Sequence, residues 1–263
     1  MEFLEQIGQL QAPSVLKASL GLFVIIFVRY LLFSGVYHHF FHSWLGDKFR
    51  KRFISVSHLK PEQIKKEIYR SALSAIIFTI LGMGMLILWY RGYTAVYTDL
   101  SAYPIWYTIL SIPLVLIIQD TFYYWLHRWM HLPRIYRKVH KDHHLSLQTS
   151  AFTSFSFHPL ESLLQAIVFP FLTLWMPLHL GVILGILMFM TLTAAINHGG
   201  VEIYPSSWSR HWLAKWLIGA THHDDHHRKF TFNYGLYFTF WDKWMGTEAP
   251  EYEERFEQLT GEV

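Results

Sequence analysis

The sequence predicts an all-α integral membrane protein: about four transmembrane or re-entrant hydrophobic regions carrying a cytosolic helical cap rich in histidine. Three observations predict this. Of 263 residues, 52% are hydrophobic and only 16% charged, whereas soluble domains carry about 25% charged residues, so lipid has to cover part of the surface. Uncharged stretches of bilayer-spanning length recur along the chain. Finally, 13 of the 17 histidines fall between residues 127 and 227. The absence of cysteine excludes disulfides, Cys-ligated zinc and ordinary iron–sulfur clusters. A net charge of +3 without a Lys/Arg stripe gives no footprint for nucleic acid.

The first apolar run, Val15 to Val36, is broken only by Lys17 and Arg29. It follows an acidic segment (Glu2, Glu5) and no small-residue cleavage site comes after it, so it reads as a retained membrane helix. Arg29 must then snorkel or find a partner. A second run, Ser71 to Tyr90, contains no charge, and a third, Ile105 to Gln119, continues into the aromatic stretch Thr121 to Trp125. The fourth region, Leu163 to Ile196, is uncharged but interrupted by Pro170 and Pro177. It reads as a helical hairpin that dips in and returns, or as two short spans.

Loop charges set the expected orientation. The connection between the first two runs carries Lys48, Arg50, Lys51, Arg52, Lys60, Lys65, Lys66 and Arg70, whereas the next loop has only Arg91 and Asp99. The positive-inside rule places the first connection in the cytosol. Parity then brings residues 127–160 back to that side, where Arg128, Arg134, Arg137, Lys138 and Lys141 agree with it. The Glu-rich segment from Glu248 onward reads as a solvated end.

The histidines are patterned. His127 and His131 form HxxxH; His140, His143 and His144 form HxxHH; His223, His226 and His227 form a second HxxHH, preceded by His222. Positions i, i+3 and i+4 share a helix face, so each box is expected to present its imidazoles toward one point. One such box has an ordinary packing explanation, but three on one side of a membrane point to a shared metal site. Eight imidazoles exceed what one ion needs and suit two, each with an open position. Imidazole accepts Fe, Zn, Cu and Ni alike, so ligand type does not name the metal. His198, at the end of the fourth region, is a further candidate ligand. His38, His39, His42, His58, His179 and His211 have no partner spacing and read as packing or interfacial residues.

Carboxylates near the boxes are candidates to fix ligand tautomers. Asp120 precedes His127 by two helical turns and lies on roughly the same face. Asp142, Asp224 and Asp225 sit inside boxes. Phe122, Phe152, Phe155 and Phe157 read as packing residues that could also wall an apolar cavity beside the boxes.

Several ordered motifs resemble the membrane fatty acid hydroxylase/sterol desaturase superfamily, in its sterol desaturase-like branch. They are Asp120-Thr-Phe-Tyr-Tyr-Trp-Leu-His127-Arg, His140-Lys-Asp-His-His144, Phe157-His-Pro-Leu-Glu161, Asn197-His-Gly-Gly-Val-Glu-Ile-Tyr-Pro205, and Asn233-Tyr-Gly followed by Phe240-Trp-Asp-Lys-Trp-Met-Gly-Thr247. The resemblance covers Gln119 to Thr247. Before it, the apolar runs and loop charges predict a transmembrane region over 1–118 with a basic cytosolic loop at 47–70. A catalytic domain would follow over 119–247, including a hydrophobic hairpin at 163–197, with an acidic tail over 248–263.

The resemblance implies a non-haem di-iron centre held by His127, His131, His140, His143, His144, His198, His223, His226 and His227. Asp120, Asp224 and Asp225 would stand behind these ligands. Zinc can substitute in isolated protein. The implied activity is O2-dependent hydroxylation or desaturation of a lipid C–H bond (sterol-like, fatty acyl or isoprenoid). Electrons would come from an external donor: cytochrome b5, a ferredoxin or a flavoprotein reductase. The implied location is a bacterial inner membrane or endoplasmic reticulum, with the metal site on the cytosolic face. The reading from another class is a His-lined metal transporter or metal buffer; it would need ligands at membrane depth along a path, whereas these boxes follow the ends of apolar runs.

Overall fold

The computed structural model describes residues 2–55 and 59–261; His58 lies outside them. Twelve α-helices and one two-residue strand pair are described. A short α1 (Glu2–Gly8) leads into α2 (Ala12–His39), which continues as one π-turn to Trp44 and a short α3 (Gly46–Phe49). α4 (Pro61–Tyr90), β1 (Val96–Tyr97) and α5 (Ile105–Met130) follow. Next come α6 (Pro133–Val139), α7 (Pro159–Ala166), α8 (Val168–Thr173), β2 (Leu178–His179) and α9 (Leu180–His198). The chain ends in α10 (Ala220–Lys229), α11 (Phe240–Met245) and α12 (Tyr252–Thr260).

Four helical stretches are long and apolar enough to cross a membrane: Ala12–Trp44, Pro61–Tyr90, Ile105–Met130 and Leu180–His198. Their outward faces are apolar, with Leu16, Leu20, Ile25, Leu32 and Val36 exposed on α2 and Ile105, Trp106, Ile109 and Leu110 on α5. In water such surfaces would be costly, because each exposed aliphatic side chain forgoes roughly 1.5–3 kcal/mol of burial; hydrocarbon removes that penalty. Arg29 is half-buried in α2, and its Nε has no hydrogen-bond partner.

The fourth region is a hairpin with unequal arms. α7 and α8 form a short apolar arm, Pro159–Thr173, and α9 alone reaches spanning length. At the bend, β1 and β2 pair in parallel, Val96 opposite Leu178 and Tyr97 opposite His179. There Val115, Phe169, Leu172, Leu178, Ile183 and Ile186 close an apolar core. His179 serves that bend: its Nε2 donates to the Thr98 carbonyl at 3.1 Å and its Nδ1 accepts from the Gly181 amide.

At the opposite end, α2, α5 and α9 terminate while α4 and α7 begin, so the histidine-bearing segments gather in one capping layer. The Gly199-Gly200 pair lets α9 end there. A Cβ on Gly199 would come within 2.1 Å of the Tyr37 ring, and Gly200 takes φ +71°, a left-handed conformation that favours glycine. The C-terminal segment is docked rather than solvated: Tyr252 and Phe256 of α12 are buried against the cap, and Arg255 pairs with both Asp224 and Asp225.

Candidate metal centre

α10 poses the central physical question. Its sequence, Ala-Thr-His-His-Asp-Asp-His-His, is strongly polar, yet every residue from Ala220 to His227 is buried. Burying unpaired polar groups costs several kcal/mol each, so each needs a partner. The helix is held at its start by Glu202, whose Oε2 accepts from the Thr221 amide at 2.9 Å and the Thr221 hydroxyl at 2.7 Å. Its imidazoles meet those of α5, the α6 connection and α9.

Nine histidines form two clusters. His127, His131, His140, His144 and His226 make one; His143, His198, His223 and His227 make the other. Within each, one ring nitrogen per residue lies within 4.8 Å of all the rest. The HxxHH boxes are therefore divided, which corrects the expectation that each box converges on one point. His143 and His144 go to different clusters, and His226 parts from His223 and His227. The reason is angular: consecutive residues on a helical turn diverge by about 100°, so adjacent histidines cannot aim at one ion.

The tautomers decide what the clusters are for. His127 Nδ1 donates to the Tyr234 carbonyl at 2.9 Å, and His140 Nδ1 to Glu161 Oε1 at 2.7 Å. Both Nε2 atoms are then bare lone pairs, and they face each other at 3.0 Å. His226 Nδ1 donates to the Phe232 carbonyl, leaving its Nε2 lone pair 3.1 Å from the Nε2 atoms of His131 and His144. In the second cluster His143 Nδ1 donates to the Ser156 carbonyl and His198 Nδ1 to the Ala194 carbonyl, and their Nε2 atoms stand 3.3 Å apart. His223 Nε2 lies 2.9 Å from His198 Nε2.

Converging lone pairs repel unless a cation lies among them. Ions bound to imidazole at about 2.0–2.1 Å place neighbouring ligand nitrogens roughly 2.9–3.4 Å apart, the separation of the closest pairs in each cluster. Protons do not fill that role. Burial, reinforced by the neighbouring imidazoles, holds His140, His143, His144, His223, His226 and His227 well below the usual imidazole range, and His131 down to about 2. The donor set thus fits two transition-metal ions, one beside each cluster.

Residues 112–247 match the fatty acid hydroxylase family. That span is half of the chain. The chain belongs to the fatty acid hydroxylase family. It is 32% identical over 190 residues to lathosterol oxidase of Homo sapiens, covering 70% of this chain and 61% of that protein. It is 30% identical over 253 residues to a Delta(7)-sterol 5(6)-desaturase (erg3A) of Aspergillus fumigatus, covering 94% of this chain and 67% of that one. The chain spans about three-fifths of the length of the lathosterol oxidases it matches. No solved structure matches it.

In this hydroxylase-family chain the carboxylates take other partners than spacing suggests. Asp120 does not touch His127. Its Oδ1 accepts from the amides of Leu236, Tyr237 and Phe238, while Asp242 accepts from those of Tyr234 and Gly235. Together they fix the segment whose Tyr234 carbonyl orients His127, so Asp120 acts at one remove. Burial pushes the Asp242 carboxyl up to about 6. Asp224 and Asp225 face Arg255, not an imidazole, and Asp142 faces Arg70. These residues point away from the clusters because they occupy the opposite face of their turns.

The carboxylate that does reach a clustered histidine is Glu161. It lies in the first turn of α7 and is fully buried. Burial drives its carboxyl well above the usual carboxylate range. Spacing could not have found it, since it meets His140 across 21 residues; its place beside His158 and Pro159 in the Phe157–Glu161 motif was the available signal. His158 itself caps α7, accepting from the Leu160 amide. His222 points away from both clusters, toward Glu248 at 4.0 Å and the edge of Tyr252. His42 donates to the Gly199 carbonyl, beside His198. Of the aromatic candidates, Phe157 packs against the His143 ring at 4.9 Å, Phe155 is buried against Tyr30, and Phe122 faces outward.

Proposed function

We propose that this chain is a membrane-bound, O2-dependent lipid oxygenase that hydroxylates or desaturates an unactivated C–H bond of a sterol-like or other lipid. The observation that carries the reading is the pair of buried clusters whose imidazole lone pairs converge at metal-ligand spacing, in a member of the fatty acid hydroxylase family. Two iron ions bound there, with O2 as co-substrate, supply the oxidising chemistry; zinc is their substitute in isolated protein.

Within this reading the ligands are His127, His131, His140, His144 and His226 on one ion and His143, His198, His223 and His227 on the other. The chain's own part is positional. The carbonyls of Tyr234, Phe232, Ser156 and Ala194, and the carboxylate of Glu161, hold Nδ1 protons so that Nε2 lone pairs point inward. Burial of the cap excludes water and keeps the imidazoles neutral. Phe157 supplies an apolar wall beside the second cluster.

The proposed catalytic unit is 119–247 with its hairpin at 163–197, the transmembrane region being 1–118 and the tail 248–263. The clusters face the cytosol, where an external donor (cytochrome b5, a ferredoxin or a flavoprotein reductase) delivers electrons. A His-lined transporter is disfavoured because both clusters gather at the cap ends of the spanning helices, with His127 in the last turn of α5 and His198 closing α9, rather than along a path at mid-depth.

The test is reconstitution of the full chain in nanodiscs with iron, a reductant system and a lipid panel that includes sterols. The proposal expects oxidised lipid whose formation requires O2 and iron. Iron-loaded protein that consumes neither O2 nor reductant with any lipid would overturn it. Lipid profiles of a host expressing wild type or H143A/H226A identify the substrate.

A further inference from the structure

A buried carboxylate from outside the family-matched segment holds the connection that follows the second histidine box. Glu67 sits on α4, only 1% exposed. Its Oε1 accepts from Ser146 Oγ at 2.7 Å, Gln63 Nε2 at 2.8 Å and Thr153 Oγ1 at 3.0 Å; its Oε2 accepts from Ser150 Oγ at 2.7 Å. A carboxylate offers about four acceptor sites, so Glu67 works at full capacity, and three of its donors lie on one eight-residue stretch, 146–153. α2 grips the same stretch, with Ser34 Oγ donating to the Ala151 carbonyl and Tyr30 OH to the Phe152 carbonyl.

Ser146 stands two residues beyond His144. His143 and His144, like His226 and His227, are a consecutive pair that sends one imidazole to each cluster, so displacing this stretch moves a ligand of both. We infer that Glu67 is a positioning residue for both metal sites: it anchors the 146–153 connection and thereby sets where His143 and His144 present their lone pairs. The assignment rests on the metal reading above and extends it to a residue of the N-terminal half.

Glu67→Gln replaces one acceptor oxygen with a donor, so one buried hydroxyl loses its partner while side-chain volume is kept. Ser146→Ala removes a single donor and leaves the carboxylate in place, providing a milder variant should the first fail to fold. Leu172→Ala, in the apolar core at the far end of the bundle, is a control for general destabilisation. The experiment titrates Co2+ into full-length protein in nanodiscs, reading affinity by chelator competition and ligand geometry by visible absorption.

Glu67→Gln is expected to weaken Co2+ binding about tenfold, in the range known for residues that orient metal ligands, and to shift the absorption bands. Ser146→Ala should move both in the same direction by less, and Leu172→Ala should bind as wild type. Wild-type binding and spectrum in Glu67→Gln, or an equal loss in Leu172→Ala, overturns the inference. If wild type itself binds no Co2+, it is the metal reading that fails.

Discussion

Glu161 Oε1 accepts a 2.7 Å hydrogen bond from Nδ1 of His140, and both side chains are fully buried. Among the nine clustered histidines, His140 has this carboxylate partner, whereas His127, His143, His198 and His226 use backbone carbonyls. An acceptor of this kind fixes the ring and raises the basicity of the opposite nitrogen.

Glu161→Ala should therefore weaken metal binding about 10–100-fold. Glu161→Gln, which still offers an oxygen to Nδ1, should lose less. Chelator competition on purified protein reads both. Unchanged affinity in Glu161→Ala would remove the residue from the site.

Asp120 is expected to matter through the backbone. Asp120→Ala leaves the amides of Leu236, Tyr237 and Phe238 without their acceptor in a buried setting, a loss on the order of 3 kcal/mol. It also frees the segment that presents the Tyr234 carbonyl to His127. Thermal denaturation should show a lowered midpoint, with Asp120→Asn intermediate. A melting curve like wild type for Asp120→Ala would contradict the arrangement.

Arg255 neutralises Asp224 and Asp225 on the histidine helix. Removing one side of a buried ion pair costs about 3–5 kcal/mol, so Arg255→Ala should release α12, lower thermal stability and reduce metal content together. Arg255→Lys should retain most of both. A chain shortened to end at residue 250 should behave like Arg255→Ala; full metal content in it would show α12 to be dispensable.

The chain has no cysteine, so single cysteines report topology without background. Lys138→Cys should react with a membrane-impermeant thiol reagent from the cytosolic side and Tyr93→Cys from the other. Labelling of both from one side would contradict the orientation.

The bundle was legible because its cause is local. Long uncharged runs such as Ser71 to Tyr90 need no partner to be read, and the histidine boxes announce themselves by spacing. What spacing could not convey was the division of each box. His143 and His144 are neighbours in sequence, yet a helical turn aims them at different clusters. The supporting acceptors were also hidden, because they depend on tertiary closure. Glu161 meets His140 across 21 residues, and Glu67 meets Ser146 across 79. The docking of the acidic tail is hidden for a related reason: Tyr252, Arg255 and Phe256 lie on its docking face, and their role exists only once α10 is in place.

The two clusters are proposed to hold one metal ion each. This proposal is tested most directly by metal analysis of full-length protein, expressed with iron and purified anaerobically in nanodiscs, alongside H143A/H226A. These two substitutions remove one ligand from each cluster. Two iron ions per wild-type chain, with both lost in the folded double variant, is the predicted result. Full iron occupancy in H143A/H226A would show that the clusters do not hold the iron.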